Sequence, residues 1–145
     1  MDHSVLTRVM EELVPFNRFL GMRCEEMREG FVRITIPFRD ELVGDPMRPA
    51  LHGGVLSALA DTAGGAAVWT GVKDTRARVS TIDLRVDYLR PGRLFTLSCD
   101  ATVVRQGNRV GVADMRLFHP DEPDKTVATG KGVYNVTLVR DEPKP

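Results

Sequence analysis

The chain has 145 residues, with 20 Lys plus Arg against 20 Asp plus Glu and a formal net charge of zero. This length supports one domain with a sizeable core, and the balanced charge excludes recruitment of a partner by a bulk electrostatic field, as a typical nucleic-acid binder uses. Two cysteines, Cys24 and Cys99, cannot make a disulfide framework and read as small buried residues in a reducing compartment. The N-terminus carries an early Asp and lacks the apolar core of a signal peptide. No apolar run approaches the roughly 20 residues of a membrane span. A cytoplasmic protein without membrane or nucleic-acid partners is expected.

Residues 1–20 read as an N-terminal helix and lead-in. Within them Ser4 to Val14 carries Val5, Leu6, Val9 and Leu13 on one stripe, with Ser4 as a cap and Pro15 as the stop. Phe31 to Pro37 alternates, with Val32, Ile34 and Ile36 opposite Arg33 and Thr35, and Glu29-Gly30 suits a turn back to Met22–Met27. Phe38 to Leu51 reads as a long loop with Gly44, Pro46 and Pro49, and its length favours function.

Gly53 to Trp69, GGVLSALADTAGGAAVW, holds one charged residue, Asp61. A helix polar on no face is expected to be buried all round. Four strands follow. Thr81 to Leu89 alternates Ile82, Leu84, Val86 and Tyr88 with Asp83, Arg85 and Asp87. Leu94 to Val104 places Phe95, Leu97, Cys99, Ala101 and Val103 on one face. Turns at Gln106–Arg109 and Asp121–Asp124 lead to Val110–Phe118 and Thr126–Leu138. In the last strand Ala128, Gly130, Gly132 and Tyr134 share a face narrow enough to lie close over a helix. Residues 139–145 read as a frayed tail, so residues 1–145 form one α+β domain, a sheet wrapped around one apolar helix.

His52-Gly53-Gly54 opens the buried helix. A helix start offers unpaired N–H groups and a positive dipole end, and two glycines let a ligand approach the backbone. Such a donor suits a carbonyl oxygen that gains negative charge during attack. Taken alone, Gly-Gly more simply makes a tight turn. Asp61 reads equally as a satisfied structural carboxylate or as a catalytic base or nucleophile. Gly53 and Asp61 lie eight residues apart, about 12 Å along a helix. They cannot both touch one carbonyl within one chain. If both serve one site, the amide and the carboxylate come from two copies, which predicts a homodimer with composite sites.

The stretch LHGGVLSALADTAGGAA resembles the signature of hotdog-fold acyl-CoA thioesterases of the phenylacetate-pathway (PaaI-like) branch, within the 4-hydroxybenzoyl-CoA thioesterase superfamily. STIDLRVDYLRPG, VVRQGNRVGVADMRLF and VATGKGVYNV are also similar, so the resemblance runs from about Gly21 to Val136. It implies a central helix wrapped by an antiparallel sheet, dimers often paired again into tetramers, and hydrolysis of acyl-CoA thioesters. By position it implies that Gly53 donates its N–H to the thioester carbonyl and that His52 positions or hydrogen-bonds beside it. It implies Asp61 of the other copy as general base or nucleophile, and Thr81 as a hydroxyl that helps hold the water. Relatives often carry an Asn before HGG; here Asp45 is the candidate for that place at the substrate, although a carboxylate cannot donate as an amide does unless it is protonated. Gly54 and Ser57 fall at the substrate, and Leu42, Val43 and Leu51 are candidates to line the acyl group. Arg90, then Arg105 and Arg109, are candidates for the phosphates of coenzyme A. Each of these arginines reads equally as a solvated strand-end cation.

No GxGxxG, GxxxxGK[ST] or GxSxG occurs, and His3, His52 and His119 are too scattered for a zinc site. No metal or organic cofactor is expected, since coenzyme A is part of the substrate. Trp69, Phe16 and Phe19 read as core or interface anchors. A hotdog dehydratase or hydratase, which needs a catalytic His with an acidic partner, and a non-catalytic acyl-CoA binder are the alternatives.

Overall fold

A computed structural model describes residues 2–74 and 76–139. The tail expected to fray over 139–145 falls outside them except for Val139.

The N-terminal segment is two short helices rather than one. α1 (His3–Arg8) passes into a π-turn (Val9–Leu13), and α2 (Pro15–Leu20) follows. Pro15 does not end the helical segment. It forces Val14 into an extended conformation (φ −84°, ψ 110°) and then occupies the first position of α2. The cap is Asp2, whose carboxylate accepts from Ser4 N at 2.9 Å, so Ser4 is the capped residue and not the cap. Asn17 is buried and donates to Met10 O at 3.0 Å, which ties the π-turn to α2. Gly21, at φ 70°, closes α2 in the left-handed conformation that glycine adopts without strain.

β1 (Arg23–Arg28) and β2 (Phe31–Ile36) form the expected hairpin, with Gly30 at φ 76° in the turn. The segment expected as a long loop is organised. A 3-10 turn (Asp40–Leu42) leads into a small antiparallel ladder of β3 (Val43–Asp45) and β4 (Ala50–Leu51). Gly44 is required there, because a Cβ would sit 3.0 Å from the His52 backbone N.

α3 (Gly53–Thr70) is the apolar helix. β5 (Arg78–Tyr88), β6 (Leu97–Gln106), β7 (Val110–Phe118) and β8 (Thr126–Thr137) complete one six-stranded antiparallel sheet in the order β1-β2-β6-β7-β8-β5. The sheet wraps α3, which is the hotdog arrangement implied by the resemblance. β6 starts at Leu97 rather than Leu94, because Arg93 to Phe95 closes a turn by a Phe95 N to Arg93 O bond of 2.8 Å. Phe95 therefore lies outside the strand.

α3 is not covered on every side within one chain. Leu56, Leu59, Ala60, Ala63, Ala67 and Val68 are buried against the sheet, whereas Gly54, Ser57, Ala58, Asp61, Thr62, Gly65 and Trp69 form an open stripe. Phe16 and Phe19, expected as anchors, are 57% and 62% exposed.

Close approach of β8 to α3 needs small residues at the crossing. The Tyr134 hydroxyl donates to the backbone O of Asp61 at 3.1 Å, placing the phenol against the middle of the helix. A Cβ at Gly64 would lie 2.9 Å from both Met115 Sδ and Tyr134 Cζ. The sequence signal of small residues facing a helix thus has a steric cause. Burial and the nearby Asp61 carboxylate push the Tyr134 phenol well above its ordinary range, so it stays a neutral donor. At the far end of α3, Thr70 Oγ1 donates to Ala67 O at 2.6 Å and accepts Gly30 N at 2.8 Å, which fastens the helix end to the β1–β2 turn.

Gly64→Val overpacks this crossing and is expected to lower stability by about 1–3 kcal/mol, more than the helix propensity it gains. Thermal unfolding checks this; an unchanged or higher melting temperature contradicts it.

Candidate active site

Two groups of side chains gather on the open stripe of α3, one at its start and one in its middle. At the start, Leu51 N donates to Gly92 O at 2.9 Å and His52 N donates to Leu42 O at 2.8 Å. These bonds fix the chain as it enters the helix. His52 is the N-cap: its Nδ1 accepts Gly54 N at 2.8 Å. A Cβ on Gly54 would meet that same Nδ1 at 2.8 Å, so the cap itself requires glycine. Gly54 N is therefore used. Gly53 N has no acceptor among the described residues, which leaves it the open donor of the first turn.

The phenol of Tyr88 lies over this turn. Its hydroxyl donates to Gly53 O at 3.2 Å and shares a short hydrogen bond with Ser57 Oγ. Leu51, Gly53, Leu56, Tyr88, Leu89, Arg90, Pro91 and Gly92 line a cavity of about 280 Å³. Ser57 is thus engaged with Tyr88. Leu42 and Leu51 are buried beside the helix start, and Leu51 lines this cavity.

The second group centres on Asp61. Thr81 Oγ1 donates to Asp61 Oδ1 at 2.7 Å, so the Thr81 hydroxyl addresses the carboxylate directly. Both line a cleft of about 220 Å³ with Met10, Val14, Ala66, Trp69 and Val79. Trp69 Nε1 is buried with no acceptor among the described residues.

A β-bulge makes the Thr81 contact. The β5–β8 register runs Thr81↔Tyr134 and then Asp83↔Val133, so Ile82 is the extra residue. Strict alternation would put Thr81 with Asp83, Arg85 and Asp87 on the outer face. The bulge instead brings Thr81, Leu84, Val86 and Tyr88 all to the helix side. Ile82, expected on the covered face, is 58% exposed for the same reason.

α3 is continuous from Gly53 through Asp61, so the two groups stay about 12 Å apart along one rigid helix. One chain does not bring them together. Asp45 joins neither group. Its Oδ1 accepts Met47 N at 2.9 Å and Arg48 N at 3.1 Å, holding its own turn. Arg90 lies with Gly53 and donates from Nε to Thr126 O at 3.1 Å. Arg105 and Arg109 sit at the β6–β7 turn. Its Gln106 packs against Gly71, just past the C-terminal end of α3. That is the opposite end of the helix from Gly53. None of these three arginines makes an ion pair among the described residues.

Sequence reasoning placed Tyr88 and Tyr134 on inward faces but assigned neither a polar contact. Alternation reports the face of a side chain and not the partner of its hydroxyl. Among the described residues no His–carboxylate pair involves His52, so they do not form the dehydratase pattern at this position. Among the described residues no three His, Cys, Asp or Glu side chains gather as a metal site.

An open amide at a helix start and a carboxylate held by a strand hydroxyl are groups that attack on a carbonyl can use. Residues 49–125 match the family model of the thioesterase superfamily, and the chain belongs to that superfamily. The medium/long-chain acyl-CoA thioesterase YigI of Escherichia coli K12 is 36% identical over 136 residues, 85% of this chain and 86% of that protein. A solved Shewanella oneidensis structure related to the thioesterase superfamily is 32% identical with a TM-score of 0.81, covering 92% of this chain and 94% of that one. The E. coli PaaI protein of the phenylacetic acid degradation operon is 28% identical with a TM-score of 0.81 and covers 93% of each chain.

His52→Ala removes the cap and is expected to destabilise by about 1 kcal/mol, while His52→Asn retains most of it. Urea unfolding separates the two, and equal midpoints for Ala and wild type would refute the capping role.

Proposed function

We propose that this chain hydrolyses acyl-CoA thioesters at composite sites, each built from the start of α3 in one copy and the middle of α3 in a second. The observation that carries the reading is the open Gly53 amide separated along one helix from the Thr81-held Asp61 carboxylate. The open stripe on α3 supports a second copy as the missing cover.

In this mechanism the thioester oxygen accepts the Gly53 N–H at the positive end of α3. Asp61 of the second copy takes a proton from water, and the water oxygen attacks the carbonyl carbon. The tetrahedral oxyanion collapses, the C–S bond breaks, and the thiolate of coenzyme A leaves and takes up the proton. Thr81 occupies one carboxylate oxygen and leaves the other to face water. The step needs no metal or organic cofactor. Direct attack by Asp61 would instead form an acyl-enzyme anhydride, which trapping in ¹⁸O-water followed by peptide mass analysis distinguishes.

The apolar wall of Met10, Val14, Ala66 and Val79 beside Asp61 suits the hydrocarbon of an acyl group. The medium/long-chain activity named for YigI supports acyl groups of that size. Arg90 reaches the phosphates of coenzyme A from the Gly53 side, and Arg105 and Arg109 of the second copy, past the C-terminal end of its α3, are the further candidates. Pairing of two such dimers and a cytoplasmic location belong to the same proposal. The location is supported by Cys24 and Cys99 standing unpaired and by no helix among the described residues being long and apolar enough to cross a membrane.

Gly53→Pro removes the donor at a helix position where proline fits, since His52 already has extended geometry (φ −60°, ψ 132°). It is expected to lower kcat about 10²–10³-fold, and Asp61→Asn to abolish thiol release with the fold retained. Neither alone is active, yet mixed dimers of the two carry one intact site. Co-expression is expected to restore about a quarter of wild-type turnover if subunits pair at random. No recovery, or an active monomer by light scattering, rules out the shared site.

A further inference from the structure

We propose that Tyr88 is a positioning residue that holds the Gly53 amide in the geometry the oxyanion requires, with Ser57 fixing the phenol. This rests on the acyl-CoA thioesterase reading above. The difficulty it answers is set by the sequence. Gly53 and Gly54 open α3 in succession, and glycine keeps more backbone freedom than any other residue. A catalytic donor must be held within about 0.5 Å of its productive position. His52 pins the second of these glycines through Gly54 N. That bond fixes the Gly53–Gly54 peptide from its N–H side only, and the Gly53 N–H belongs to the peptide before it, whose His52 O accepts Val55 N at 2.9 Å.

Tyr88 holds the Gly53–Gly54 peptide from its carbonyl side. Its hydroxyl donates to Gly53 O at 3.2 Å, and its ring lies against Gly53 closely enough that a Cβ there would meet Cε1 at 3.4 Å. The same hydroxyl bonds Ser57 Oγ, one turn further along the helix. The phenol therefore bridges the first turn of α3 and locks the carbonyl side of Gly53, while His52 N on Leu42 O locks the residue before it. The Gly53 N–H between these fixed points has no acceptor among the described residues.

The bulge at Ile82 adds a second consequence. Thr81 and Tyr88 are seven residues apart, an odd spacing that puts two side chains on opposite faces of a regular strand. The bulge puts both on the helix side. One strand then orients the Asp61 carboxylate through Thr81 and the Gly53 amide through Tyr88. β5 thus supports both halves of the composite site.

The test is Tyr88→Phe in the full-length protein, assayed for thiol release from a panel of acyl-CoAs. The variant keeps the ring and loses the two hydrogen bonds. The expected result is a kcat about tenfold lower with KM within about twofold, because the loss falls on the transition state and not on substrate binding. Faster hydrogen exchange of the 52–57 segment is expected alongside it. Unchanged kcat, or a raised KM at constant kcat, overturns the positioning role. If the Phe variant is unfolded at the assay temperature, Ser57→Ala replaces it. That variant keeps the phenol, and a kcat about threefold lower at constant KM is expected; unaltered kcat there overturns the proposal. An inert wild-type chain removes the thioesterase reading and this inference with it. An active wild type with an undiminished Tyr88→Phe variant removes the inference alone.

Discussion

Everything in this molecule depends on how closely one apolar helix can be drawn under one sheet. α3 has almost no polar face of its own and gains its stability from burial. Gly64 on the helix leaves the space that Tyr134 fills, and the Tyr134 hydroxyl returns a hydrogen bond to the helix backbone at Asp61. That contact fixes the depth of α3 under β8 and, through the β5–β8 register, the height at which Thr81 meets the Asp61 carboxylate.

The rigidity that results also divides the proposed chemistry. A helix that cannot bend holds the open amide and the carboxylate about two turns apart. Each half is separately prepared by its neighbours: a capping imidazole and a phenol at Gly53, a strand hydroxyl at Asp61. Preparation of this kind is what electrostatic catalysis requires, because the donors are oriented before charge develops. The open stripe on α3 and the separation of the two halves have the same geometric origin.

Much of the architecture was legible because burial imposes simple periods. The β1–β2 hairpin followed from Glu29-Gly30 and alternation, and α3 from its unbroken apolar run. The failures share a cause too. Pro15 looks like a stop by local pattern, yet proline is equally at home at the first helical position. The 38–51 segment has the composition of a loop, because a ladder as short as β3–β4 leaves no periodic signal. Alternation points Ile82 inward, because a bulge changes the parity of a strand without changing its composition.

The sequence by itself determined the wrapped-helix topology, the lone carboxylate at Asp61 and the glycine pair at the helix start, since these follow from residue type and linear spacing. Only the tertiary structure decided which hydroxyl meets Asp61, that Tyr88 and His52 hold the two glycines, that Asp45 serves its own turn, and that Arg90 lies at one end of α3 with Arg105 and Arg109 at the other. Those outcomes depend on the register of strands distant in the chain and on one inserted residue. A hydrogen bond across such a gap has no trace in local pattern, because the chain specifies it through packing and not through neighbouring residues.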